Sequence, residues 1–144
     1  MDRGATRSQE KTQVIVVDAN VLVSAVIGVA AKRALAAAAE RGIKFFVPEP
    51  QLAEAAAVLV YKLGVTRTDT ERAMEWITVI VEPLAPSVYE VFEAPARGRL
   101  HERGQPDWPV LAAAMAFDGG IWSHDRDFFG TGVALWSTRN MKFA

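Results

Sequence analysis

Carboxylates follow two apolar runs of the chain, at the positions where buried strands would end. Asp18 ends the run VIVVD, Asp125 comes shortly after the run IW, and Asp107 opens the apolar stretch that leads into the second run. Ligands of open parallel sheets bind outside the carboxyl ends of the strands, so these acids can meet there. Clustered carboxylates repel each other unless a cation lies among them, and all-oxygen sites suit Mg²⁺ or Mn²⁺. The pattern predicts a divalent metal site, and phosphodiester hydrolysis as its natural reaction.

Each acid also has a simpler explanation. Asp107 precedes a predicted helix and could be its N-cap, and Asp18 could cap the helix that follows it. Asp125 and Asp127 could be turn formers, and Glu54 could be a solvated helix residue. Taken one by one, these explanations are at least as good as a catalytic role. Together they leave unexplained why acids recur at positions that the predicted sheet brings to one edge.

Glu54 is a candidate because of its place on a predicted helix. At 3.6 residues per turn, the core stripe of that helix is predicted to be Leu52, Ala56, Leu59 and Leu63. Glu54 falls on the opposite side with Val58 and Tyr61, which are too apolar for an ordinary solvated face. We expect Glu54 to line a groove.

Short β-branched runs alternate with longer alanine-rich stretches, which is typical of an α/β domain with a mostly parallel sheet. The predicted strands are Val14–Val17, KFFVP, an extended piece near Leu84, IWS and VALWS. A short helix is predicted from Val21, a second over about 31–41, and a third that begins at Pro48 and Pro50 and ends at Leu63. Further helices are predicted over 70–81 and over DWPVLAAAMAF, with a weaker one over 87–92. The stretch ARGRLHERGQP is predicted to be a polar connection.

The composition excludes several classes of protein. With 144 residues, 51% hydrophobic and 23% charged, we expect a single domain over residues 14–144 behind a flexible leader, residues 1–13, that is not a secretory signal. A net charge of −1 argues against binding nucleic acid by bulk charge. The chain has no cysteine, which excludes disulfides and thiolate metal sites. The longest apolar stretch, Val21 to Ala31, is shorter than the roughly 20 residues that span a bilayer, so we expect a cytoplasmic protein without a membrane partner.

Four segments resemble, in the same order, the acidic motifs of the PIN-domain ribonucleases, especially the bacterial toxins of the VapC kind. They are VVDANVLVSA, VPEPQLAEAAAVL, PDWPVLAAAMAF and IWSHDRDFFGTGVALWS. The resemblance implies a three-layer α/β/α sandwich with a mostly parallel central sheet. It further implies a Mg²⁺- or Mn²⁺-dependent endonuclease for single-stranded RNA, which leaves a 5′-phosphate and a 3′-hydroxyl.

The resemblance also assigns roles to individual residues. The family's acidic quartet is matched by Asp18, Glu54, Asp107 and Asp125, of which Asp18, Asp107 and Asp125 would hold the metal. Supporting positions are matched by Asn20 beside the first acid, by Ser123 two residues before the fourth, and by Asp127, a frequent extra acid. His124 falls where the family is variable, so we do not expect it to be a general base.

Partners of this site can be named only in outline. Candidate RNA-binding cations are Arg97, Arg99, Arg103 and Arg126, although a solvated loop explains each of them as well. Candidate stacking aromatics are Trp108, Trp122, Phe128, Phe129 and Trp136, for which core packing is the default role. The RNA could be single-stranded or structured. The resemblance further implies a homodimer and a small protein antitoxin that covers the acidic pocket, with an arginine inserted among the carboxylates.

Two other classes of function stay open at the level of sequence. One is a non-catalytic PIN-like module that binds RNA or a protein, against which the intact acidic quartet argues. The other is a phosphatase or phosphotransfer protein with its aspartate after the first strand. The segment Ala19 to Leu22 offers no second acid for that chemistry.

Overall fold

The computed structural model describes residues 12–144, so residues 1–11 of the predicted leader lie outside the described range. Its sheet has the strand order β3-β2-β1-β4-β5, and every neighbouring pair is parallel. The strands are β1 Val14–Val17, β2 Lys44–Pro48, β3 Val81–Leu84, β4 Gly120–Trp122 and β5 Leu135–Trp136. β1 is therefore central, as its continuous run of apolar residues predicts.

Within residues 12–144, six α-helices cover the two faces of this sheet. They are α1 Ala19–Ile27, α2 Ala30–Glu40, α3 Glu49–Ala57, α4 Arg67–Ile80, α5 Glu93–Arg99 and α6 Trp108–Ala116. Alternate residues of β1 point to opposite faces: Ile15 and Val17 pack with α1 to α4, whereas Val16 packs with α5 and α6. The two cores confirm the predicted three-layer α/β/α sandwich.

The prediction of a polar connection before Asp107 is wrong in one respect, because much of this segment is helical. Residues Glu93–Arg99 form α5, and residues Glu102–Asp107 form 3₁₀ turns. Ala96 and Leu100 are buried against α6 and anchor the segment to the second core. Two buried apolar positions thus order a segment that is otherwise polar.

Other boundaries shift for local reasons. α4 starts at Arg67 rather than near Thr70, because the Thr66 side chain accepts a hydrogen bond from the Asp69 amide at 3.1 Å and caps the helix earlier. The weak helix predicted over 87–92 is a pair of separate 3₁₀ turns. Within residues 12–144 no single helix is long and apolar enough to cross a membrane, and only α1 and α2 together, bent by 109°, meet that test by length and composition.

Candidate metal centre

The pairing of β1 with β4 brings Asp18 and Asp125 to the same edge of the sheet. The Asp18 amide donates a hydrogen bond to the Trp122 carbonyl at 3.0 Å, which extends the parallel ladder beyond the end of β1. The chain after Trp122 therefore leaves the sheet directly beside Asp18. This is the meeting of strand ends that the sequence predicts.

Asp18 is buried, with 4% of its surface exposed. One carboxylate oxygen, Oδ1, accepts a hydrogen bond from the Ala19 amide at 2.8 Å, and Oδ2 accepts one from the Ser123 hydroxyl at 2.7 Å. Burial raises the pKa of Asp18 above 3.8, these two hydrogen bonds partly oppose that rise, and the negative charges of Glu54 and Asp125 add to it. Two donors thus fix a carboxylate that burial alone would disfavour.

Ser123 and Asn20 tie the end of β4 to the start of α1. The Ser123 hydroxyl, besides donating to Asp18, accepts a hydrogen bond from the Asp125 amide at 2.9 Å. The Asn20 side chain accepts one from the His124 amide at 3.3 Å. These hydrogen bonds fix Asp18 and the backbone before Asp125 relative to each other.

Three carboxylates form a group close enough to share one cation. Oxygen atoms of Asp107, Asp125 and Asp127 all lie within 4.8 Å of one another. The pKa of the half-buried Asp107 is raised from 3.8 to about 7, first by burial and then by the charges of Asp18, Glu54, Asp125 and Asp127. The five acids therefore form one electrostatic cluster centred on Asp107.

The helix-capping explanation fails for Asp107 and holds in part for the others. The Asp107 side chain makes no capping hydrogen bond to α6, although the residue stands at the N-cap position. Asp125 accepts a hydrogen bond from the Asp127 amide at 2.9 Å, which is a turn contact, and Asp18 accepts one from the first residue of α1. Asp18 and Asp125 thus stabilise their loops while their carboxylates stay in the cluster.

Glu54 lies on the exposed face of α3 and faces the cluster from the side. It lines a cavity of about 230 Å³ together with Val58, Asn20 and His124, which fits the expected groove. The predicted core stripe is only partly right, since the buried residues are Gln51, Ala55 and Leu59, while Leu63 is exposed. The last turn, Val58–Lys62, is a π-helix, and its wider turn rotates Leu63 away from the core.

Asp127 is more central than its supporting role in the sequence suggests. Its Oδ1 atom pairs with Arg103, at 3.0 Å from Nη2 and 3.2 Å from Nε. Gly104 approaches so closely that an added Cβ would lie 3.1 Å from the Asp127 Cβ. Sequence reasoning missed Gly104, and the only signal for it was a glycine in the segment HERGQP.

The other candidate cations and aromatics take different places. Arg97 pairs with Glu93 at 2.8 Å, and Arg99 donates to the Thr131 carbonyl at 2.9 Å and lines a cavity at the amino edge of the sheet, away from the acids. Arg126 is exposed and lines a cavity that includes Asp125. Among the aromatics, Trp122 and Phe128 are fully buried, Trp108 and Trp136 are half-buried, and Phe129 is exposed.

The donor set fits a hard divalent cation. Asp107, Asp125 and Asp127 offer only oxygen ligands, the kind that Mg²⁺ and Mn²⁺ take. Within residues 12–144, the ion pair to the cluster comes from Arg103, whose side chain is 82% exposed and therefore offsets little of the repulsion. Asp127 belongs to the group whose oxygens lie within 4.8 Å of one another, whereas Asp18 lies outside that group.

Comparisons with known proteins agree with this architecture. A chain of the crystal structure of VapBC2 from Rickettsia felis bound to a DNA fragment from their promoter matches with a TM-score of 0.70 and 13% identity, over 87% of this chain and 98% of that one. At that identity the likeness shows a shared fold. A search of the curated proteins found no match. The family model described as PIN domain matches residues 16–144, and this chain therefore belongs to the PIN domain family.

Proposed function

We propose that this protein is a Mg²⁺- or Mn²⁺-dependent endoribonuclease that cleaves single-stranded RNA in the cytoplasm, as the toxin of a toxin–antitoxin pair. One observation carries the proposal: carboxylate oxygens of Asp107, Asp125 and Asp127 lie within 4.8 Å of one another at the edge of a parallel sheet. Membership of the PIN domain family supports the same reading, because PIN domains are generally nucleases.

The cost of assembling the cluster supports a resident cation. Burial and then the charges of four nearby carboxylates raise the pKa of Asp107 to about 7. Residues that destabilise one another in this way are typical of functional sites rather than of structural ones. A divalent cation bound there would polarise a phosphoryl oxygen and stabilise an in-line displacement.

The residues then divide the work. Asp107, Asp125 and Asp127 would hold the cation directly, and Asp18, fixed by Ser123, would complete the negative pocket. Glu54 lines the cavity beside Ala19 and Asn20, and we assign it the orientation of the attacking water. Attack by water on phosphorus leaves a 5′-phosphate and a 3′-hydroxyl, because the RNA 2′-hydroxyl takes no part.

Incubation with labelled single-stranded RNA tests this proposal. We expect cleavage with Mg²⁺ or Mn²⁺, no cleavage with EDTA, and products that a 5′-phosphate-dependent exonuclease degrades. Asp125→Asn should abolish cleavage, whereas Asp69→Asn, an exposed acid in the first turn of α4, should leave it unchanged. Cleavage that survives EDTA, or cyclic phosphate ends, would refute the metal-dependent mechanism.

The same experiment separates the enzyme from a non-catalytic PIN-like module. Such a module would bind RNA or a protein without cleaving RNA. Asp125→Asn would then leave binding unchanged, and no cleavage products would appear with either protein. Calorimetry would show no heat with Mg²⁺ or Mn²⁺ if the acids were a purely structural cluster.

A protein antitoxin is part of the proposal. The VapBC2 structure, whose fold this chain shares, is by its name a two-component complex. The cavity that Glu54 lines adjoins the acids, and an arginine inserted there would satisfy carboxylates that repel each other. The partner, once isolated, should stop RNA cleavage at a one-to-one ratio. We also propose a homodimer, which sedimentation velocity would detect.

A further inference from the structure

A second cavity, of about 350 Å³, opens on the other side of the acids. Asp125 of the acidic cluster and Ser123 line part of it, and Arg126, Phe129 and Asn140 are among the residues that line the rest. Its volume lies in the range of small-molecule sites. An RNA chain with one phosphate bound at the acids would place a neighbouring nucleotide at this cavity.

The phenyl ring of Phe129 is 61% exposed, whereas that of the preceding Phe128 is fully buried. An exposed ring forgoes the free energy that burial would provide. Hydrogen bonds on both sides fix the loop: the Phe129 amide donates to the Arg126 carbonyl at 2.9 Å, and the Thr131 hydroxyl donates to the Phe128 carbonyl at 2.6 Å. The ring is thus held at the cavity by an ordered loop.

Arg126 supplies a positive charge at the same cavity. Its guanidinium makes no ion pair or hydrogen bond with the described part of the chain, in contrast to that of Arg103, which pairs with Asp127. The net charge of −1 and the cluster of acids both repel a polyanion, so a phosphate must be held by local cations. Arg126 is free to do so.

Asn140 adds a polar edge of fixed orientation. Its Oδ1 atom accepts a hydrogen bond from the Ser137 backbone amide at 2.8 Å, and the backbone amide of Asn140 donates to the Ser137 hydroxyl at 3.2 Å. These bonds leave the two protons on Nδ2 without an acceptor among residues 12–144. A carbonyl oxygen on the edge of a base would accept one of them.

We propose that this cavity is a subsite for one unpaired nucleobase of the cleaved RNA. The base stacks on Phe129, the adjacent phosphate contacts Arg126, and Asn140 donates to a carbonyl on the base edge. Stacking on an aromatic side chain is the common way of holding single-stranded RNA. This proposal rests on the proposed nuclease function, because it assumes that the cleaved phosphate of the RNA binds at the acids.

Binding of a short labelled oligoribonucleotide, followed by fluorescence anisotropy in an Asp107→Asn background with Mg²⁺, tests the subsite with cleavage strongly reduced, and Asp107 does not line the cavity. Phe129→Leu removes the aromatic face but keeps an apolar side chain, and it should weaken binding by about 5- to 50-fold. Phe129→Trp should retain the affinity. Phe143→Leu is the matched control, because that ring is 75% exposed, has Lys142 over it and lies outside the cavity.

An abasic substitution in the oligonucleotide locates the base. At one position next to the cleavage site, loss of the base should weaken binding to the parent protein but not to the Phe129→Leu variant. Arg126→Ala should reduce the affinity for the intact and for the abasic oligonucleotide, and the affinity should depend less on salt concentration. In the cleaving protein, Phe129→Leu should raise KM with little change in kcat.

The possible failures are distinct. If the protein cleaves RNA but Phe129→Leu and Phe143→Leu bind it equally well, the subsite is refuted and the nuclease stands. The same result would redirect the search for an occupant of the cavity to a protein segment. If binding depends on Phe129 but no cleavage occurs under any metal, the nuclease fails and base recognition survives.

Discussion

Helix α6 has an aspartate at each end, and the two differ in almost every respect. Asp107, before the first residue, is half-buried among four other acids, and its pKa is raised to about 7. Asp118, two residues after the helix ends, is exposed and has a positive φ of 51°. The first belongs to the carboxyl edge of the sheet, where strand ends converge, and the second to the amino edge. One helix thus separates the edge that carries the proposed metal centre from the opposite edge of the sheet.

Cavity size does not distinguish the two edges. The cavity beside Asp118, lined also by Arg99 and Gly119, measures about 470 Å³, which exceeds the 350 Å³ of the cavity beside Asp125. What differs is the group of acids beside the second cavity: oxygens of Asp107, Asp125 and Asp127 lie within 4.8 Å of one another, and within residues 12–144 no such group lies at the amino edge. Charge that opposes folding indicates the functional edge better than open volume does.

Neutralising each of the two aspartates in turn should give the largest difference in cleavage rate between the two edges. Asp107→Asn should lower RNA cleavage at least about 100-fold, because a ligand of the proposed cation is lost. Asp118→Asn should leave the rate within twofold. Initial rates with Mg²⁺ at pH 8 measure both, and equal effects of the two variants would mean that α6 does not divide the edges in this way.

The hydroxyl that fixes Asp18 should matter next. Ser123→Ala removes the donor to Asp18 and the acceptor for the Asp125 amide, so cleavage should fall by about 10- to 100-fold. Ser123→Thr should restore most of the activity. Ser87→Ala, at an exposed 3₁₀ turn, is the control. An active Ser123→Ala variant would show that the acids hold their places without this link.

The pH dependence of stability should reveal the strain at Asp107. Its carboxyl keeps a proton up to about pH 7 in the folded protein, against a usual pKa of 3.8. Between these values the folded state binds more protons than the unfolded state, so the free energy of unfolding should decrease as pH rises through this window. The buried Asp18, whose pKa is also raised, acts in the same direction.

Denaturant titrations in EDTA from pH 5 to pH 8 measure this slope. Asp107→Asn should flatten it and stabilise the protein at pH 8, and Mg²⁺ should do the same for the parent protein. Asp118→Asn should keep the parent slope. A stability that rises with pH in all three proteins would contradict the proposed charge cluster.

The smallest effect should come from arginines at the two edges. Arg103→Ala removes an exposed pairing with Asp127 and should tighten Mg²⁺ binding by about two- to fivefold, the equivalent of an exposed ion pair. Arg99→Ala, at the amino edge, should leave the Mg²⁺ affinity unchanged. Calorimetry of both variants decides whether Arg103 competes with the cation.

The sandwich was predictable because its signals are local and repeated. Val14–Val17 and KFFVP are continuous apolar runs, and the structure has them as parallel neighbours with the same bounds. α5 was not predictable, since its buried Ala96 and the buried Leu100 just after its end lie within a polar stretch. The phase of Leu63 was missed because nothing in the sequence announces a π-turn.

The candidate site was predictable in part, for the same physical reason. Strand ends name Asp18 and Asp125, but only the paths of the intervening loops decide which oxygens meet. The closest group includes Asp127 and not Asp18, because the turn after Ser123 brings Asp127 towards Asp107. The exposure of Phe129 likewise depends on how a glycine-rich loop packs, which its neighbours in sequence do not reveal.

Acids from opposite ends of the chain have to meet before this centre exists. Asp107, Asp125 and Asp127 are synthesised roughly 5 to 20 seconds after Asp18 at the usual rate of elongation. A nascent or truncated chain that stops before α6 holds only Asp18 and Glu54. The chain between β1 and β4 thus delays assembly of the proposed metal centre until α6 and β4 have been synthesised.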